Sequence, residues 1–331
     1  MPSQFLWLSE GEVVSLMDMG EAIAALEKGL LAEAQGQAKN MVKTHVAWNG
    51  STLHAIGAAF PRAGFVGTKT WAHTEGGATP LVILFDSQTG NLKAVIEAFA
   101  LGQLRTGAAS GVATRCLAVR DAGEFAIIGT GKQALAQVAA VVAVRPIRSI
   151  RVFGRHKGRR SNFVSRTRQE FNLEVVEAAS IREAVQGAQI ITTATRATEP
   201  FLTADMISRG AHINSIGAIV ATRAEVAEDV LARCDQVVVD SQPQARKLSR
   251  ELMEYFGSGE GHWEQVASLA NVVAGGKERS ATSDLTLFKS LGMGIADLSL
   301  GMELYRKALE QGVGRPLPQP EKAAPRLQTT T

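Results

Sequence analysis

Residues 124–134, EFAIIGTGKQA, constrain the fold of this 331-residue chain more than any other stretch. An apolar, β-branched run ends at Gly129, passes Gly131 and continues into a helical pattern at Ala134. Gly129 permits a sharp turn, Gly131 leaves room for a phosphate against bare backbone, and Ala134 lets helix and strand pack closely. The N–H groups and the dipole of such a helix attract a pyrophosphate. The pattern predicts a strand, a turn and a helix that bind a dinucleotide, although a glycine turn without a ligand would look the same.

The residues after the next predicted strand, 149–153, indicate which dinucleotide is bound. Where a fold that prefers NAD would place Asp or Glu on the ribose 2′-hydroxyl, this chain has Gly154. Cationic or titratable side chains follow at Arg155, His156, Lys157, Arg159 and Arg160. Such groups suit a 2′-phosphate, so the predicted cofactor is NADP(H) rather than NAD(H). A solvated basic start of a helix is the alternative interpretation.

Length and composition bound the remaining possibilities. A chain of 331 residues suits two domains, and its formal net charge of +3 gives no strong attraction to nucleic acid or membranes. A basic cluster between Arg145 and Arg168 supports a weaker nucleic-acid hypothesis. Cys116 and Cys234 lie at no metal or redox spacing, which fits a reducing compartment. We therefore expect a cytoplasmic protein without a nucleic-acid or membrane partner.

The first third of the chain is predicted to form a helix followed by a largely antiparallel sheet. Ser9-x-x-Glu12 and Asp18-x-x-Glu21 are capping-box patterns, and the second opens an amphipathic helix that ends near residue 36. Strands are predicted at 43–48, 51–59, 64–73, 81–85 and 92–96. The first two are joined by Asn49-Gly50, a strong hairpin signal. A helix of small residues, 99–117, leads to the nucleotide-binding part.

Beyond residue 120, strands and helices alternate. Strand-like segments at 173–176, 189–194, 212–216 and 236–240 are separated by helical pieces, short ones at 203–206 and 224–232. This alternation predicts an α/β fold with a Rossmann-type, doubly wound parallel sheet beside the N-terminal α+β domain. An amphipathic helix through Leu300, Leu304 and Leu309 completes the pattern. The tail from Gly312, which contains four prolines, is expected to be loose.

Several short motifs are spread over nearly the whole chain. They are Gly67-Thr-Lys69, Gln103-Leu-Arg105-Thr106, the Gly129 fingerprint, Ile190-Ile-Thr-Thr-Ala194, His212-Ile-Asn-Ser-Ile-Gly217 and Thr286-Leu-Phe-Lys-Ser-Leu-Gly292. In these motifs the chain resembles the ornithine cyclodeaminase and mu-crystallin family of NAD(P)-dependent imine and amino-acid oxidoreductases. The resemblance implies a homodimer whose N-terminal sheets meet across the two-fold axis, a C-terminal helix packed on the N-terminal domain, and a substrate site facing the nicotinamide. We expect residues 1–119 with 296–331 to form the substrate and dimerisation domain, and residues 120–295 the NADP-binding domain.

The resemblance also assigns substrate-binding residues. Lys43, Lys69 and Arg105 match the family's cations that hold the substrate carboxylate, with Lys69 and Arg105 as the catalytic pair. An α-imino acid must be fixed by its carboxylate so that the imine carbon presents one face to a hydride, and paired cations can do this. Lys69 shares a strand face with Trp71 and His73, which is unusual company for a solvated edge charge. Lys69 is also a candidate for tuning the iminium proton, because charge on a lysine between cations is disfavoured.

The predicted cofactor contacts lie in the glycine fingerprint, at the ribose end and in the family motifs. They are Thr106, Gly129, Thr130, Gly131, Gln133, Ala134, Gly154, Arg155, His156, Lys157, Thr193, Ala194, Thr195, Ser215, Ile216, Gly217, Lys289, Ser290 and Gly292. The six histidines have no metal-ligand spacing, so no metal is expected. His212 is predicted to be a core or cap residue, and His73 is a weaker candidate for a proton donor.

One position departs from the family pattern. Ornithine cyclodeaminases and the related alanine dehydrogenases carry an aspartate two residues after the glycine that corresponds to Gly217, and here that position is Ile219. The family carboxylate is thought to act on the amine and on the water or ammonia that enters or leaves. Mu-crystallin-like imine reductases lack this aspartate as well. The departure favours reduction of a preformed imine.

The predicted activity is therefore NADPH-dependent reduction of an α-imino acid, a cyclic ketimine such as pyrroline-2-carboxylate or piperideine-2-carboxylate, to the L-amino acid. One alternative is an amino-acid dehydrogenase that aminates an oxo acid, as alanine dehydrogenase does. Others are an ornithine cyclodeaminase and a crystallin-like protein that binds NADPH without turnover. The sequence does not identify the imine.

Overall fold

Two β-sheets organise the fold in the computed structural model, which describes residues 4–257, 262–276, 279–280 and 282–327. The strands are β1 Gln4–Leu8, β2 Lys39–Asn40, β3 Thr44–Trp48, β4 Ser51–Phe60, β5 Phe65–Thr74, β6 Gly77–Ala78, β7 Leu81–Asp86, β8 Leu92–Glu97, β9 Glu124–Ile128, β10 Ser149–Phe153, β11 Glu174–Glu177, β12 Ile190–Thr193, β13 His212–Ser215, β14 Cys234–Val239, β15 Val266–Ser268, β16 Leu285–Lys289 and β17 Arg315–Pro318. The helices are α1 Glu10–Leu16, α2 Met19–Ala34, α3 Phe99–Leu117, α4 Ala134–Val142, α5 Lys157–Phe171, α6 Ile181–Val185, α7 Glu228–Arg233, α8 Gln242–Leu248, α9 Arg250–Phe256, α10 Leu269–Gly275 and α11 Gly294–Gln311.

The first sheet joins nine of the described strands in the order β17, β1, β8, β7, β5, β4 and β2, with β3 paired to β4 and β6 to β5. Its pairs are antiparallel except β1 with β8. Asn49 and Gly50 connect β3 to β4 with φ values of 42° and 78°, the left-handed backbone that an Asn-Gly hairpin turn needs. The predicted hairpin and the largely antiparallel sheet are both confirmed.

The second sheet is parallel and has the strand order β11, β10, β9, β12, β13, β16, β14, β15. Starting at β9, the chain first adds strands on one side and then returns to add the others on the opposite side. The strand order therefore reverses between β9 and β12, and open α/β sheets bind their ligands at the carboxyl end of such a switch point. The predicted Rossmann-type sheet is confirmed.

Helices α2 and α11 tie the C-terminal part of the chain to the first sheet. Both capping boxes predicted at the N-terminus are present, and Asp18 and Glu21 exchange hydrogen bonds of 2.8 and 3.0 Å at the start of α2. The predicted apolar face of α2, with Ile23 and Leu26, is fully buried. Helix α11 packs on α2 and α3 and on strands β4, β5 and β7. This packing places the start of α11 close to residues of β5.

The C-terminal tail differs from the prediction. Residues 315–318, expected to be loose, form β17 and pair antiparallel with β1 in a register that joins Gln4 to Pro318. A proline lacks the N–H group that a central strand must donate, but β17 lies at the edge of the sheet, where one side needs no partner. The tail prolines are therefore compatible with an edge strand.

Smaller differences concern boundaries. Helix α4 covers Ala134–Val142. The helix expected over 224–232 is confined to α7, because Val226 forms a β-bridge with Leu202. Strand β1 and the elements between residues 241 and 276 carry no sequence prediction. The described strands of the first sheet fall within 4–97 and 315–318, and those of the second within 124–289. The division into domains at residues 119 and 295 stays a prediction. No helix in the described part of the chain is long and apolar enough to span a bilayer.

Candidate active site

The turn after β9 needs a glycine at its first position. Gly129 has a φ of +112°, and a Cβ there would lie 2.4 Å from the carbonyl oxygen of Ala194, which follows β12. The Gly129 N–H donates to the carbonyl of Phe153 at the end of β10, at 2.8 Å. The turn thus joins the carboxyl ends of three neighbouring strands at the predicted switch point.

The rest of the fingerprint leaves space for a ligand. A Cβ on Gly131 would meet no atom within 4 Å, whereas Ala134 is fully buried where α4 begins. Thr130, directly before Gly131, and Gln133, directly before Ala134, are half-buried. Bare backbone at the switch point followed by a helix start is the arrangement that accommodates a pyrophosphate. These residues therefore fit a dinucleotide.

At the ribose end, Gly154 is buried and its Cβ position lies 3.1 Å from the side chain of Thr130. Arg155, His156 and Lys157 are exposed at the start of α5. Arg160 is engaged elsewhere, because its guanidinium donates to Glu177 at 2.9 Å and to the carbonyl of Gly154 at 3.0 Å. Arg160, one of the basic residues predicted to suit a 2′-phosphate, thus has a structural role.

Glu225 is a buried carboxylate that the sequence prediction did not place in the site. It is 0% exposed and accepts hydrogen bonds from three side-chain hydroxyls and three backbone N–H groups. The donors are the hydroxyls of Thr193, Thr195 and Ser215 and the N–H groups of Thr195, Gly217 and Ala218, at 2.7 to 3.3 Å. Glu225 thereby links the loops after β12 and β13. No local sequence pattern identifies Glu225, because its hydrogen-bond partners lie up to 32 positions away in the chain.

Several predicted cofactor contacts have side chains that are used within the protein. Lys289 is 1% exposed and donates to Glu251 at 3.0 Å and to Ser215 at 3.2 Å, so its ammonium is engaged within the protein and its contact with a cofactor stays a prediction. The Ser290 hydroxyl donates to Asp240 at 2.9 Å, and the Thr106 hydroxyl donates to the carbonyl of Gly102 at 2.8 Å. Ile216 is buried beside them, at the end of β13.

Lys69 lies in β5 between two apolar strand neighbours, Ile56 of β4 and Val82 of β7, and is 4% exposed. Its ammonium forms a buried ion pair with Asp297, in the first turn of α11. The nitrogen also lies 5.1 Å from the centre of the Trp71 ring, a cation–π distance. Burial, followed by the charge of Arg105, lowers the pKa of Lys69 to about 8, although Asp297 opposes this shift.

Arg105 of α3 joins the same carboxylate. Its Nε lies 3.4 Å from Oδ1 of Asp297, and its Nη1 lies 3.2 Å from the Cβ position of Gly292. Gly292 follows β16 at the carboxyl edge of the second sheet, and its φ of +93° favours glycine. Arg105 therefore connects the ion pair to the edge at which a dinucleotide is expected.

Lys43 completes the group of cations. Burial lowers the pKa of Lys43, and the positive charge of Arg105 adds to this effect. The charge of Asp240 opposes this shift, and Asp240 accepts hydrogen bonds from the N–H groups of Leu291 and Gly292 at 2.7 to 3.0 Å. The structure thus brings together the three predicted substrate-binding residues, Lys43, Lys69 and Arg105, and adds Asp297.

Burial lowers the pKa of two histidines, His212 and His54. His212 is fully buried between Thr286 and Asn214, and burial lowers its pKa to about 3, which confirms the prediction of a core residue. His54 stacks on Trp71 with ring centres 4.7 Å apart, and burial lowers its pKa to about 4. His73 is exposed at the end of β5. The described part of the chain contains no cluster of three or more His, Cys, Asp or Glu side chains suited to a metal ion.

Comparison with known proteins supplies a family. The model of the ornithine cyclodeaminase/mu-crystallin family matches residues 5–312. A Δ1-pyrroline-2-carboxylate reductase of Bacillus cereus is 34% identical over 236 residues, which is 71% of this chain and 72% of the relative. The structure of the Thermococcus litoralis Δ1-pyrroline-2-carboxylate reductase, in complex with NADH and L-proline, has a TM-score of 0.88 and 30% identity, covering 94% of this chain and 99% of its own. An archaeal alanine dehydrogenase dimer with bound NAD has a TM-score of 0.88 and 29% identity, covering 95% and 99%.

Proposed function

From the premise that the chain belongs to the ornithine cyclodeaminase/mu-crystallin family, we propose that it reduces an α-imino acid to the amino acid with NADPH. The observation that carries the proposal is the convergence of Lys69 and Arg105 on one buried carboxylate, next to Gly292 at the carboxyl edge of the second sheet. Such a group of cations binds and orients a substrate carboxylate. When bound, the reduced nicotinamide supplies the hydride for the imine carbon.

The substrates of the relatives support this class. Reductases that carry the name of a cyclic imino acid are among the relatives, one of them solved with NADH and L-proline. Ile219, 36% exposed after β13, stands where a carboxylate would be needed to handle ammonia or water. The proposed substrate is therefore a preformed cyclic ketimine, such as pyrroline-2-carboxylate or piperideine-2-carboxylate.

A panel assay of NADPH oxidation tests the proposed reaction. We expect turnover of pyrroline-2-carboxylate or piperideine-2-carboxylate, with iminosuccinate and pyruvate plus ammonia or methylamine as the comparison substrates. Activity confined to pyruvate with an amine would instead identify an amino-acid dehydrogenase. Tight NADPH binding without turnover of any substrate would identify a binding protein.

The preference for NADPH is the first prediction. Arg155 and Lys157 are exposed at the start of α5, where the helix dipole makes a cluster of cations unfavourable unless an anion neutralises it. One or two charge-assisted contacts of about 1.5–3 kcal/mol each predict that NADPH exceeds NADH by about ten- to a thousandfold in kcat/KM. Steady-state kinetics with both cofactors measure this ratio.

Three variants make the cofactor test specific. Replacing both Arg155 and Lys157 by alanine should remove most of the preference, whereas Arg166→Ala, exposed further along α5, should leave it unchanged. Gly154→Asp should move the preference toward NADH. Equal kcat/KM for NADPH and NADH in the unaltered protein would show that the basic residues are only solvated.

We also propose a homodimer formed by the first sheet. Large apolar side chains are exposed on β3, on β4 and just before them: Met41, Val42, Val46, Trp48 and Leu53, with Val42 64% and Val46 58% exposed. A patch of this kind is typical of a protein interface, and the archaeal alanine dehydrogenase is a dimer.

Light scattering should therefore give twice the chain mass of 35.2 kDa. Val46→Asp together with Leu53→Asp should weaken the dimer, since each would place a charge in the proposed interface. The matched change Val176→Asp, on a residue 41% exposed in the second sheet, should not. A monomer at micromolar concentration in the unaltered protein would contradict the dimer.

A further inference from the structure

The ion pair between Lys69 and Asp297 is buried, and the Arg105 side chain beside it is partly exposed. The side chain of Lys69 is 5% exposed and that of Asp297 is 0% exposed, whereas the Arg105 side chain is 20% exposed. Oδ2 of Asp297 is also buried and has no hydrogen-bond partner in the part of the chain that the structure describes. Arg105 is thus the most accessible of these three side chains, and Lys69 keeps a small exposed fraction whereas Asp297 has none.

We propose that Lys69 donates the proton to the imine nitrogen and that Asp297 is the positioning residue that keeps the ammonium charged and in place. Arg105 and Lys43 then hold the substrate carboxylate. This inference rests on the proposed imine reduction, and it gives Lys69 a role other than a carboxylate contact. Lys69 is the closer partner of Asp297, and an ammonium already paired with one carboxylate gains little from binding a second. Arg105 contacts the same carboxylate only through Nε, at 3.4 Å, and its Nη1 lies toward Gly292, so its outer guanidinium nitrogens suit a substrate carboxylate better.

The proposed step balances. The imine carbon gains a hydride from the reduced nicotinamide, and the nitrogen gains a proton from the Lys69 ammonium. The π bond between carbon and nitrogen is lost, so the imine is reduced by two electrons to the amine and the nicotinamide is oxidised. Lys69 is left as a neutral amine, which takes up a proton from water before the next turnover.

The pH dependence of imine reduction should follow the protonation of Lys69, which the surrounding charged groups influence. Asp297 approaches from α11, Arg105 from α3, and Lys43 from the segment before β3, while His54 on β4 has its pKa lowered and is neutral at pH 7. The strand neighbours Ile56 and Val82 are apolar. Lys69 must be protonated to donate, so the rate of reduction should fall as the pH rises through its pKa, about 8. Removing the charge of Asp297 should move this fall to lower pH.

Two substitutions and two substrates test the proposal. Lys69→Arg keeps a positive charge beside Asp297 but does not release its proton near neutral pH, and Asp297→Asn removes the charge that supports the ammonium. With pyrroline-2-carboxylate, Lys69→Arg should lower kcat by about 10²- to 10⁴-fold. Asp297→Asn should shift the alkaline limb of kcat/KM down by about one unit or more.

The second substrate, N-methyl-pyrrolinium-2-carboxylate, carries a permanently charged nitrogen and needs no proton. With it, the loss in both variants should shrink to less than about tenfold, since only the general-acid contribution is removed. Asp205→Asn, an exposed carboxylate, is the matched control and should behave as the unaltered protein with both substrates. Equal losses with both substrates would show that Lys69 and Asp297 only support the structure or bind the carboxylate.

A measurement without turnover keeps the test independent of activity. The pKa of Lys69 can be followed by ¹³C NMR of lysine-labelled protein without cofactor, with Lys69→Arg identifying the resonance. We expect a value near 8 in the unaltered protein and a lower value in Asp297→Asn. The same pKa in both proteins would overturn the role of Asp297. If the unaltered protein reduces neither substrate, the proposed function itself fails.

Discussion

Replacing Arg105 by alanine is expected to lower kcat/KM for imine reduction by about 10²- to 10⁴-fold, since two charge-assisted hydrogen bonds of about 1.5–3 kcal/mol each are lost. Arg105 is more exposed than Lys69 or Asp297, and its Nη1 reaches toward Gly292 at the edge of the second sheet. A substrate carboxylate bound there would lie next to the predicted nicotinamide position. Kinetics with pyrroline-2-carboxylate and saturating NADPH measure the loss.

The conservative variant separates charge from shape. Arg105→Lys keeps the charge but lacks the planar, two-pronged guanidinium, so it should recover only part of the activity. Arg115→Ala is a matched control on the same helix, because its guanidinium pairs with Glu27 and its side chain is 41% exposed. Full activity of Arg105→Lys would show that a point charge is sufficient. Full activity of Arg105→Ala would show that Arg105 does not bind the substrate carboxylate.

The protein is expected not to convert ornithine to proline. That reaction oxidises an α-amino group, closes a ring by attack of the δ-amine, and releases ammonia, and each step moves a proton that a carboxylate must handle. Ile219 cannot do this, and a missing general acid or base costs about 10²- to 10⁴-fold in rate. An apolar side chain beside the δ-ammonium would also leave that charge unpaired. Incubation with ornithine and either oxidised cofactor should release no ammonia above background.

Glu225 and Asp297 are buried carboxylates that could be considered as replacements for the missing one, and neither is accessible in this structure. Glu225 is 0% exposed, and both of its oxygens accept hydrogen bonds from loop residues such as Thr195 and Gly217. Asp297 is 0% exposed behind Lys69. Ammonia release at a rate comparable to imine reduction by the same preparation would mean that one of these groups becomes accessible during turnover.

The sequence by itself determined the features that depend on neighbouring residues. The turn at Gly129, the Asn49-Gly50 hairpin and the capping box at Asp18 are all present, because each follows from the backbone and side-chain requirements of a few consecutive residues. The alternation of strands and helices likewise predicted the second sheet, since short connections between parallel strands leave few possible topologies. The family motifs identified Lys69 and Arg105 as members of one site.

Only the tertiary structure decided how the charged groups are paired. The partner of Lys69 is Asp297, 228 residues away, and that of Lys289 is Glu251. Glu225 became a link between two loops, and residues 315–318 became an edge strand, through contacts with distant segments. A local pattern records which backbone conformation a segment adopts, but the partner of a buried charge depends on which elements pack together. The sequence left Lys69 with two candidate roles, a carboxylate contact and the handling of the iminium proton, and the position of Asp297 on α11 favours the second.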